Sequence, residues 1–291
     1  MLSRVFYCAQ EGVALCLNKM KFIKWMTALF FRDGWNMARS KATAFGSRQT
    51  EPVMPVGVRK MIDWHTHILP GMDDGSRDTA ESIAMLEALA AQGVRTVIAT
   101  PHFYVNDEPL SAFLQRREHA LAQLQEVCPP DLPQILLGAE VRYYQGISRL
   151  EGLKELRIRG SKLLLLEMPM TKWTQSMVRE LIEMAGRSSI RIVLAHVERY
   201  FGLQKGDVWD QLAANGILFQ VNASFFAGFF SRQKAITLLR EGSIHFVGSD
   251  CHNMTSRPPK IDQAYDRIRN KLGDDVVNQM TECGYHLLGK H

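Results

Sequence analysis

The sequence predicts an α/β fold in which parallel strands alternate with helices around one large core. Seven short apolar runs are each followed by a loop and a segment with helical spacing of its apolar residues. The run at residues 162–167 is nearly all leucine, as expected of a strand that is buried on both faces. Because such alternation produces parallel βα units, we expect a distorted, seven-stranded (β/α)7 barrel similar to a TIM barrel.

The predicted elements follow one another through short connections. Gly93 ends the first helix, and Pro129 and Pro130 stop the second. The predicted strands are residues 61–65, 94–100, 134–140, 162–167, 190–195, 217–221 and 244–248. The predicted helices are residues 78–93, 110–127, 175–186, 208–215, 232–240, 261–272 and 274–283.

The composition is that of an ordinary globular protein, with 291 residues, 46% hydrophobic and 22% charged. The net charge of +5 belongs to residues 1–60, where ten Lys/Arg stand against three Asp/Glu, which leaves 25 basic and 27 acidic residues in the body. A near-neutral body argues against nucleic acid as a partner and against a nuclease. Five cysteines, an odd number without C-x-x-C spacing, fit a reduced, cytoplasmic setting.

Residues 1–57 are predicted to be an extension of a single domain that spans residues 58–291. Residues 21–31 are apolar with basic flanks, but the run is too short and too interrupted by lysine to span a membrane. We expect a poorly ordered or partly helical extension, such as an upstream start would produce. The alternatives are a signal peptide and a basic amphipathic segment that lies on a membrane or binds a partner. The body itself is predicted not to be inserted in a membrane.

The strongest functional signal is the stretch Asp63-Trp64-His65-Thr66-His67 at the end of the first predicted strand, with Asp74 seven residues further on. Alternate residues of a strand point the same way, so His65 and His67 can aim their rings at one point. Two such histidines with a carboxylate nearby suit a divalent transition metal. Alone the pair is a weak signal, because His-x-His also occurs by chance.

The ends of the other strands strengthen this signal. Six of the seven predicted strands deliver a His, Glu or Asp at the same end, and five of the nine histidines lie at these positions. Around a ring of parallel strands, this coincidence predicts a multinuclear metal site. The nine candidate ligands are His65, His67, Asp74, His102, Glu140, Glu167, His196, Asp250 and His252. They are enough for two or three metals, and nitrogen and oxygen ligands fit Mn, Fe or Zn.

The chemistry that such a site suits is the hydrolysis of a phosphate ester. Two metals held ~3.5–4 Å apart lower the pKa of a bridging water and neutralise charge on the phosphoryl oxygens. Arg199 lies three residues past His196, and Arg257 lies five past His252. A guanidinium binds phosphate through two parallel hydrogen bonds, so both arginines fit this substrate. Without the metal site, each would be read equally well as a surface arginine.

A rival chemistry is suggested by Cys251 and Arg257, which have the C-x5-R spacing of cysteine-dependent tyrosine phosphatases. That mechanism needs a cradle of backbone N–H groups, usually containing glycine, around a thiolate of lowered pKa. The intervening residues 252–256 contain no glycine, and two prolines follow Arg257. The sequence therefore disfavours this mechanism.

Together these motifs resemble the PHP (polymerase and histidinol phosphatase) superfamily. More closely, they resemble its bacterial protein-tyrosine phosphatases of capsule and exopolysaccharide operons, the CpsB/YwqE-like family. The matching stretches lie within residues 61–260 and comprise residues 62–75, 99–102, 194–200 and 248–253. The resemblance implies a PHP barrel and a trinuclear centre, often of Mn, that is held by the nine candidate ligands. It also implies that Arg199 and Arg257 bind the substrate phosphate.

By resemblance, the expected function is hydrolysis of phosphotyrosine on the tail of a tyrosine autokinase that regulates polysaccharide synthesis. We expect a metal-bridging hydroxide to attack phosphorus directly, with Arg199, Arg257 and Asp250 as catalytic residues. The expected location is the cytoplasm, with any membrane association through the kinase. The alternatives are a small-molecule phosphatase of the PHP type, such as histidinol phosphatase, and a non-catalytic metal-binding regulator of the kinase. The aromatic residues that are candidates for stacking on the tyrosine ring are Phe103, Tyr104, Tyr143 and Phe225. No role is assigned to His119, His245 or His286.

Overall fold

The computed structural model describes residues 61–289, which form nine strands and seven α-helices. The predicted extension, residues 1–57, and the predicted domain boundary at residue 58 lie outside the described residues. The strands are β1 (Met61–Thr66), β2 (Val94–Ala99), β3 (His102–Phe103), β4 (Gln134–Leu137), β5 (Glu140–Arg142), β6 (Leu163–Glu167), β7 (Arg191–Leu194), β8 (Leu218–Asn222) and β9 (Phe246–Gly248). The helices are α1 (Thr79–Ala91), α2 (Leu110–Val127), α3 (Gln175–Ala185), α4 (Gly206–Ala214), α5 (Phe229–Arg240), α6 (Asp262–Leu272) and α7 (Asp274–Leu287).

The strand pairs are parallel, which confirms the predicted α/β class. They form a three-stranded sheet in the order β1-β2-β4 and a six-stranded sheet in the order β3-β5-β6-β7-β8-β9. The predicted strand at residues 94–100 is present as β2, and Pro101, which has no N–H to donate to a strand ladder, separates it from the short strand β3. The prediction of one unbroken strand at residues 134–140 was wrong, because β4 gives way to β5 at Gly138-Ala139.

Within residues 61–289, the first strand, β1, and the last, β9, meet at their C-terminal ends. Thr66 forms an isolated parallel bridge with Cys251. On either side of this bridge, the backbone N–H of Asp250 donates to the carbonyl of His65, and the N–H of His67 donates to the carbonyl of Cys251, both at 2.9 Å. Residues that are nearly two hundred positions apart in sequence are thereby placed side by side.

Strand β6 is buried on both faces, as its leucine run predicts. Leu164 and Leu166 belong to the larger apolar cluster, which also contains residues of the helices, whereas Leu163 and Leu165 belong to a smaller one. All four side chains are at most 2% exposed. Burying a leucine completely contributes about 1.5–3 kcal/mol relative to leaving it exposed, so this strand anchors the sheet.

The helices begin and end largely where local signals predict. The Asp78 side chain accepts a hydrogen bond from the N–H of Glu81 at 2.8 Å and so caps α1, and Gly93 with φ of 91° follows its end. Helix α5 begins three residues earlier than predicted. The apolar spacing did not reveal this start, because Phe229 and Phe230 are exposed and do not join the apolar stripe of the helix. Within residues 61–289, no helix is both long and apolar enough to cross a membrane.

Candidate metal centre

The structure brings the nine candidate ligands together at the C-terminal ends of the strands. His65 lies within β1, and His67 and Asp74 lie in the loop after it. The other six begin, end or follow later strands: His102 begins β3, Glu140 begins β5, Glu167 ends β6, His196 follows β7, and Asp250 and His252 follow β9. Eight of the nine fall into three groups whose donor atoms lie within 4.8 Å of one another. The groups are His67, Asp74, His102 and His252; His65, His67 and Asp250; and His102, Glu140 and Glu167. The ninth, His196, reaches the same cluster through its Nε2 atom, which lies 2.8 Å from Oε1 of Glu140.

The carboxylate of Glu140 lies at the middle of the cluster. Its Oε2 atom is 3.1 Å from Nε2 of His65, 3.4 Å from Nε2 of His67 and 3.0 Å from Nδ1 of His102. The Nε2 atoms of His65 and His67 are themselves only 3.1 Å apart. Glu140 is 1% exposed, so its charge is shielded from water and must be balanced by the groups around it. Such a shared carboxylate fits a bridge between two cations.

The electrostatics of the cluster also fit a bound cation. Burial lowers the pKa of His67, but the hydrogen bonds and negative charges of Asp73 and Glu140 outweigh it and raise this pKa to about 10. These surroundings therefore favour a positive charge, which a divalent metal also supplies. Nε2 of His252 and Nδ1 of His102 are buried, and neither makes a hydrogen bond of good geometry, although carboxylate oxygens lie 3.4 Å and 3.0 Å away. A metal ligand bond would satisfy nitrogens that are otherwise costly to bury.

Asp73 supports the site although the sequence reasoning chose only its neighbour Asp74. Its Oδ2 atom accepts from Nδ1 of His67 at 2.7 Å and from the N–H of His102 at 2.8 Å, and its Oδ1 accepts from the N–H of Gly75 at 2.9 Å. Burial opposes ionisation of Asp73, but the hydrogen bond and charge of His67 hold its pKa below the usual range. The His67 ring is thereby oriented with Nε2 toward the cluster. The signal was the doubled aspartate before Gly75.

Strand β8 delivers a second set of supporting residues that the sequence reasoning missed. Oε1 of Gln220 lies 3.3 Å from Nδ1 of His65 and accepts from the N–H of His196 at 2.7 Å. Its amide Nε2 donates to Oδ1 of Asn222, whose own Nδ2 donates to Oδ2 of Asp250 at 2.8 Å. One chain of amides thus connects three candidate ligands. The signal was a polar Gln inside an otherwise apolar strand.

The backbone is constrained at the same positions. Within residues 61–289, His196 and Asp250 are the only non-glycine residues with positive φ, at 33° and 54°. This region is unfavourable for most side chains and is held by surrounding structure, typically at functional sites. Glycine is also required close to the ligands. A Cβ on Gly75 would lie 2.3 Å from the carbonyl oxygen of His67, and one on Gly248 would lie 2.6 Å from Cβ of His65.

The two candidate phosphate-binding arginines lie at the edge of this cluster. Nη2 of Arg199 is 2.6 Å from Oδ2 of Asp250, and Nη2 of Arg257 is 3.2 Å from Oδ1 of the same carboxylate. Nη1 of Arg257 also lies 3.3 Å from Oδ2 of Asp74. The arginines are 37% and 41% exposed, so part of each guanidinium faces solvent. A third arginine, Arg142, which the sequence reasoning missed, donates to Oε2 of Glu167 at 3.3 Å.

The structure counts against Cys251 as a nucleophile. The residue is 1% exposed, and burial raises the pKa of its thiol well above the usual value. A nucleophilic cysteine needs the opposite, which is an accessible thiolate of lowered pKa. The C-x5-R spacing with Arg257 therefore does not form the cysteine-based site that it suggested.

Of the four aromatic candidates for stacking on a substrate ring, three pack against other residues and are not stacked on a candidate ligand. Phe103 is 1% exposed and packs against Phe113. Tyr143 is buried, and its hydroxyl donates a hydrogen bond to Oε2 of Glu180 at 2.8 Å. Phe225 is half-buried and packs against other phenylalanines of the core. Tyr104 is half-buried beside the cluster, with its ring stacked on that of His102. The histidines without an assigned role, His119, His245 and His286, lie outside the three ligand groups.

The chain is similar to known proteins over most of its length. The sequence model of the CpsB/CapC family, which is described as capsular polysaccharide synthesis, matches residues 61–284. The chain is 31% identical over 237 residues to tyrosine-protein phosphatase YwqE of Bacillus subtilis, covering 78% of this chain and 91% of that protein. It is 33% identical over 237 residues to tyrosine-protein phosphatase CpsB of Streptococcus pneumoniae, covering 76% of this chain and 94% of that protein.

Among solved structures, the fold is similar to a chain from the crystal structures of YwqE from Bacillus subtilis and CpsB from Streptococcus pneumoniae. Those proteins are described as unique metal-dependent tyrosine phosphatases. The TM-score is 0.68 at 28% sequence identity, and the match covers 79% of this chain and 95% of the other. The family model's match, at residues 61–284, includes all nine candidate ligands.

Proposed function

The chain belongs to the CpsB/CapC family of capsular polysaccharide synthesis, and we propose that it is a metal-dependent protein-tyrosine phosphatase. The observation that carries this proposal is the convergence of nine donor residues, all but Asp74 buried or half-buried, on one cluster with two arginines at its edge. The relatives' activity as tyrosine phosphatases agrees with it.

We propose that the nine side chains hold three divalent metals, with Mn as the first choice and Fe or Zn as alternatives. Three overlapping groups of donors support this number, and the absence of any thiolate from these groups supports the choice of metals. Bound metals would activate a water for attack on phosphorus and neutralise charge on the phosphoryl oxygens. Glu140 would be the shared carboxylate, because it approaches His65, His67, His102 and His196.

Other side chains would bind the phosphate and orient the metal ligands. Arg199 and Arg257 would bind the phosphoryl oxygens with their solvent-facing N–H groups, and Asp250 would keep both guanidinium groups directed at the cluster. Preorganised donors of this kind stabilise the charge of a phosphoryl transition state without reorganisation during the reaction. Asp73 and Gln220 would fix the orientations of His67 and His65.

We propose that the substrate is a phosphotyrosine tail of a tyrosine autokinase that regulates capsular or exopolysaccharide synthesis. The family's description and the names of the relatives support this pathway. The site is open enough for a protein substrate, since the Asp74 side chain is 61% exposed and both arginines are partly exposed. We accordingly place the enzyme in the cytoplasm, with any membrane association through the kinase.

We also propose that the nine strands occupy seven positions of a distorted PHP barrel. Strands β2 and β3 are separated by only two residues, as are β4 and β5, so each pair can count as one position. The hydrogen bonds between Gly138 and Ala99 and between Glu140 and Pro101 continue the pairing across both interruptions. The bridge from Thr66 to Cys251 supports closure between the first and last positions.

The test of the proposed function is hydrolysis of phosphotyrosyl peptide, phosphoseryl peptide and histidinol phosphate by the purified protein, before chelation, after chelation and after refilling with Mn. We expect turnover of the phosphotyrosyl peptide that disappears with chelation and returns with Mn. Metal-dependent turnover of histidinol phosphate alone would instead identify a small-molecule phosphatase. Retained metal without any turnover would identify a non-catalytic regulator.

A substitution at Cys251 separates the metal mechanism from a thiolate mechanism. Cys251→Ser should keep kcat/KM for the phosphotyrosyl peptide within a few-fold of the wild-type value, because the buried thiol does not take part. Activity that survives complete metal removal but disappears in Cys251→Ser would overturn the metal mechanism.

A further inference from the structure

A pocket of about 370 Å³ opens directly beside the candidate metal cluster. Its walls are aromatic on one side, at Tyr104, and largely acidic elsewhere, with Met72, Asp73, Asp74, His102, Asp107, Glu108 and Arg116 as the other lining residues. Asp74 and His102 are candidate metal ligands, so the pocket shares a wall with the site where phosphate would be bound. Tyr104 supplies its aromatic surface, whereas Met72, at 6% exposure, adds only a small apolar area. The pocket therefore can hold a group that is covalently attached to the reacting phosphate.

The position of the pocket relative to the arginines fits an aryl phosphate. The Asp74 carboxylate contacts both residues: its Oδ2 atom lies 3.3 Å from Nη1 of Arg257, and its Oδ1 atom lies 3.5 Å from Nε2 of His102. A phosphate held by Arg257 beside the metal ligands would therefore lie next to the mouth of the pocket. In phosphotyrosine the phenyl ring is bonded directly to the bridging oxygen, so the ring must occupy space immediately adjacent to the phosphate. The pocket provides such space.

The walls of the pocket are fixed in position before any substrate binds. Arg116 of α2 donates to Glu108 through Nε at 3.1 Å and to the carbonyl of Met72 through both terminal nitrogens at 3.4 Å. This arginine therefore ties together two loops on opposite sides of the pocket. The hydrogen bond from the N–H of His102 to Asp73 ties the Met72 loop to β3. A preformed pocket loses little free energy to ordering when a ligand enters.

Tyr104 is the aromatic wall of the pocket, and its ring contacts His102 and Arg142 beside the candidate metal cluster. The ring centroid lies 5.3 Å from that of His102 with an interplanar angle of 24°, and the guanidinium of Arg142 lies 5.8 Å from its centroid.

We propose that this pocket, with Tyr104 as its aromatic wall, receives the phenyl ring of the substrate and makes the enzyme select aryl over alkyl phosphates. The inference rests on the proposed function and adds to it a subsite and a specificity-determining residue. A phosphoserine side chain brings no ring to the pocket and leaves the face of Tyr104 uncovered. Contacts between aromatic rings are worth enough to account for a several-fold preference in affinity.

The test compares Tyr104→Leu with the wild type in the metal-loaded enzyme. KM for para-nitrophenyl phosphate and for the phosphotyrosyl peptide should rise roughly 5-fold, with a smaller change in kcat. Calorimetry should show a similar loss of affinity for phenylphosphonate, whereas the affinity for methylphosphonate should stay at the wild-type value. Tyr104→Phe, which keeps the ring, should recover most of the lost affinity. Phe225→Leu is the matched control, because Phe225 is also half-buried but packs against Phe201 and Phe226 and does not line the pocket, so neither phosphonate affinity should change.

Two results would overturn the inference. The first is wild-type KM and wild-type phenylphosphonate affinity in Tyr104→Leu. The second is an equal loss of phenylphosphonate and methylphosphonate affinity, which would show that Tyr104 only supports His102. Neither result affects the proposed function, which fails separately if the wild-type enzyme shows no metal-dependent turnover of phosphotyrosine. Phenylphosphonate binding still tests the pocket in that case.

Discussion

Nδ1 of His67 lies 2.7 Å from Oδ2 of Asp73, the residue directly before the candidate ligand Asp74. The two adjacent aspartates therefore have different roles. Asp73 contacts the His67 ring nitrogen that is turned away from the cluster, whereas Asp74 belongs to a ligand group. Because the same Asp73 oxygen accepts from the N–H of His102, one carboxylate organises two candidate ligands. This arrangement is the support that metal-binding histidines usually have.

Asp73→Asn should therefore weaken metal binding without removing a ligand. The amide keeps the size of the side chain but loses the charge that makes the His67 ring a strong ligand, so we expect metal affinity to fall roughly 10-fold or more. Competition with a chromogenic chelator measures this directly. Asp131→Asn, on an exposed loop, is the matched control. Wild-type metal affinity in Asp73→Asn would show that Asp73 does not orient His67 for ligation.

Arg199→Lys should impair phosphate binding while leaving the metals in place. Lysine keeps the positive charge near Asp250 but loses the planar fork that binds two phosphoryl oxygens, so we expect KM and the inhibition constant of inorganic phosphate to rise roughly 10-fold. Metal content should match the wild type. The exposed Arg187, changed to lysine, controls for the general effect of the substitution. An unchanged inhibition constant for phosphate would remove Arg199 from the phosphate site.

Gly248→Ala should destabilise the protein and disturb the ligand His65. The new Cβ would lie 2.6 Å from Cβ of His65 and 2.9 Å from its backbone nitrogen, and neither neighbour is a flexible side-chain end. We expect the free energy of unfolding in urea to fall by about 1–3 kcal/mol, together with metal affinity. Gly202→Ala is the control, since a Cβ there meets nothing within 4 Å. Equal stabilities of the two variants would contradict the close approach at Gly248.

His245 should make the protein less stable in acid. Burial, aided by the positive charge of Arg191, lowers the pKa of His245 to about 3 in the folded state, against 6.5 for an exposed histidine. Between these pH values the unfolded chain binds a proton that the folded chain does not. The stabilisation is thus fully present above pH 6.5 and is lost as the pH falls toward 3, by about 1.4 kcal/mol per pH unit.

Urea unfolding between pH 7 and pH 4.5 tests this slope. His245→Asn, whose side-chain oxygen can still accept the hydrogen bond from the N–H of Phe219, should show a shallower loss of stability than the wild type. His119→Asn provides the comparison, because His119 lies exposed on α2. Parallel pH profiles for wild type and His245→Asn would show that His245 is not the source of the acid sensitivity.

The sequence alone determined the order of the elements and the types of side chain at the strand ends. His65 and His67 could be assigned to one point because the two-residue period of a strand fixes side-chain direction locally. The remaining candidates could be gathered because parallel strands end at the same edge. Leucines 163–166 likewise revealed a strand buried on both faces, since burial leaves its mark in the residue types themselves.

Only the tertiary structure decided which polar residues support the candidate ligands and which aromatic residue borders the site. Gln220 contacts His65 from 155 positions away, and no local pattern encodes such a contact. Tyr104 lines the pocket beside the cluster, whereas Phe225 packs against other phenylalanines, and only the tertiary packing decides between these two positions. The positive φ of Asp250 also arises from its neighbours. Local periodicity therefore determines which groups reach the catalytic end of the fold, whereas contacts between distant segments determine how those groups are oriented.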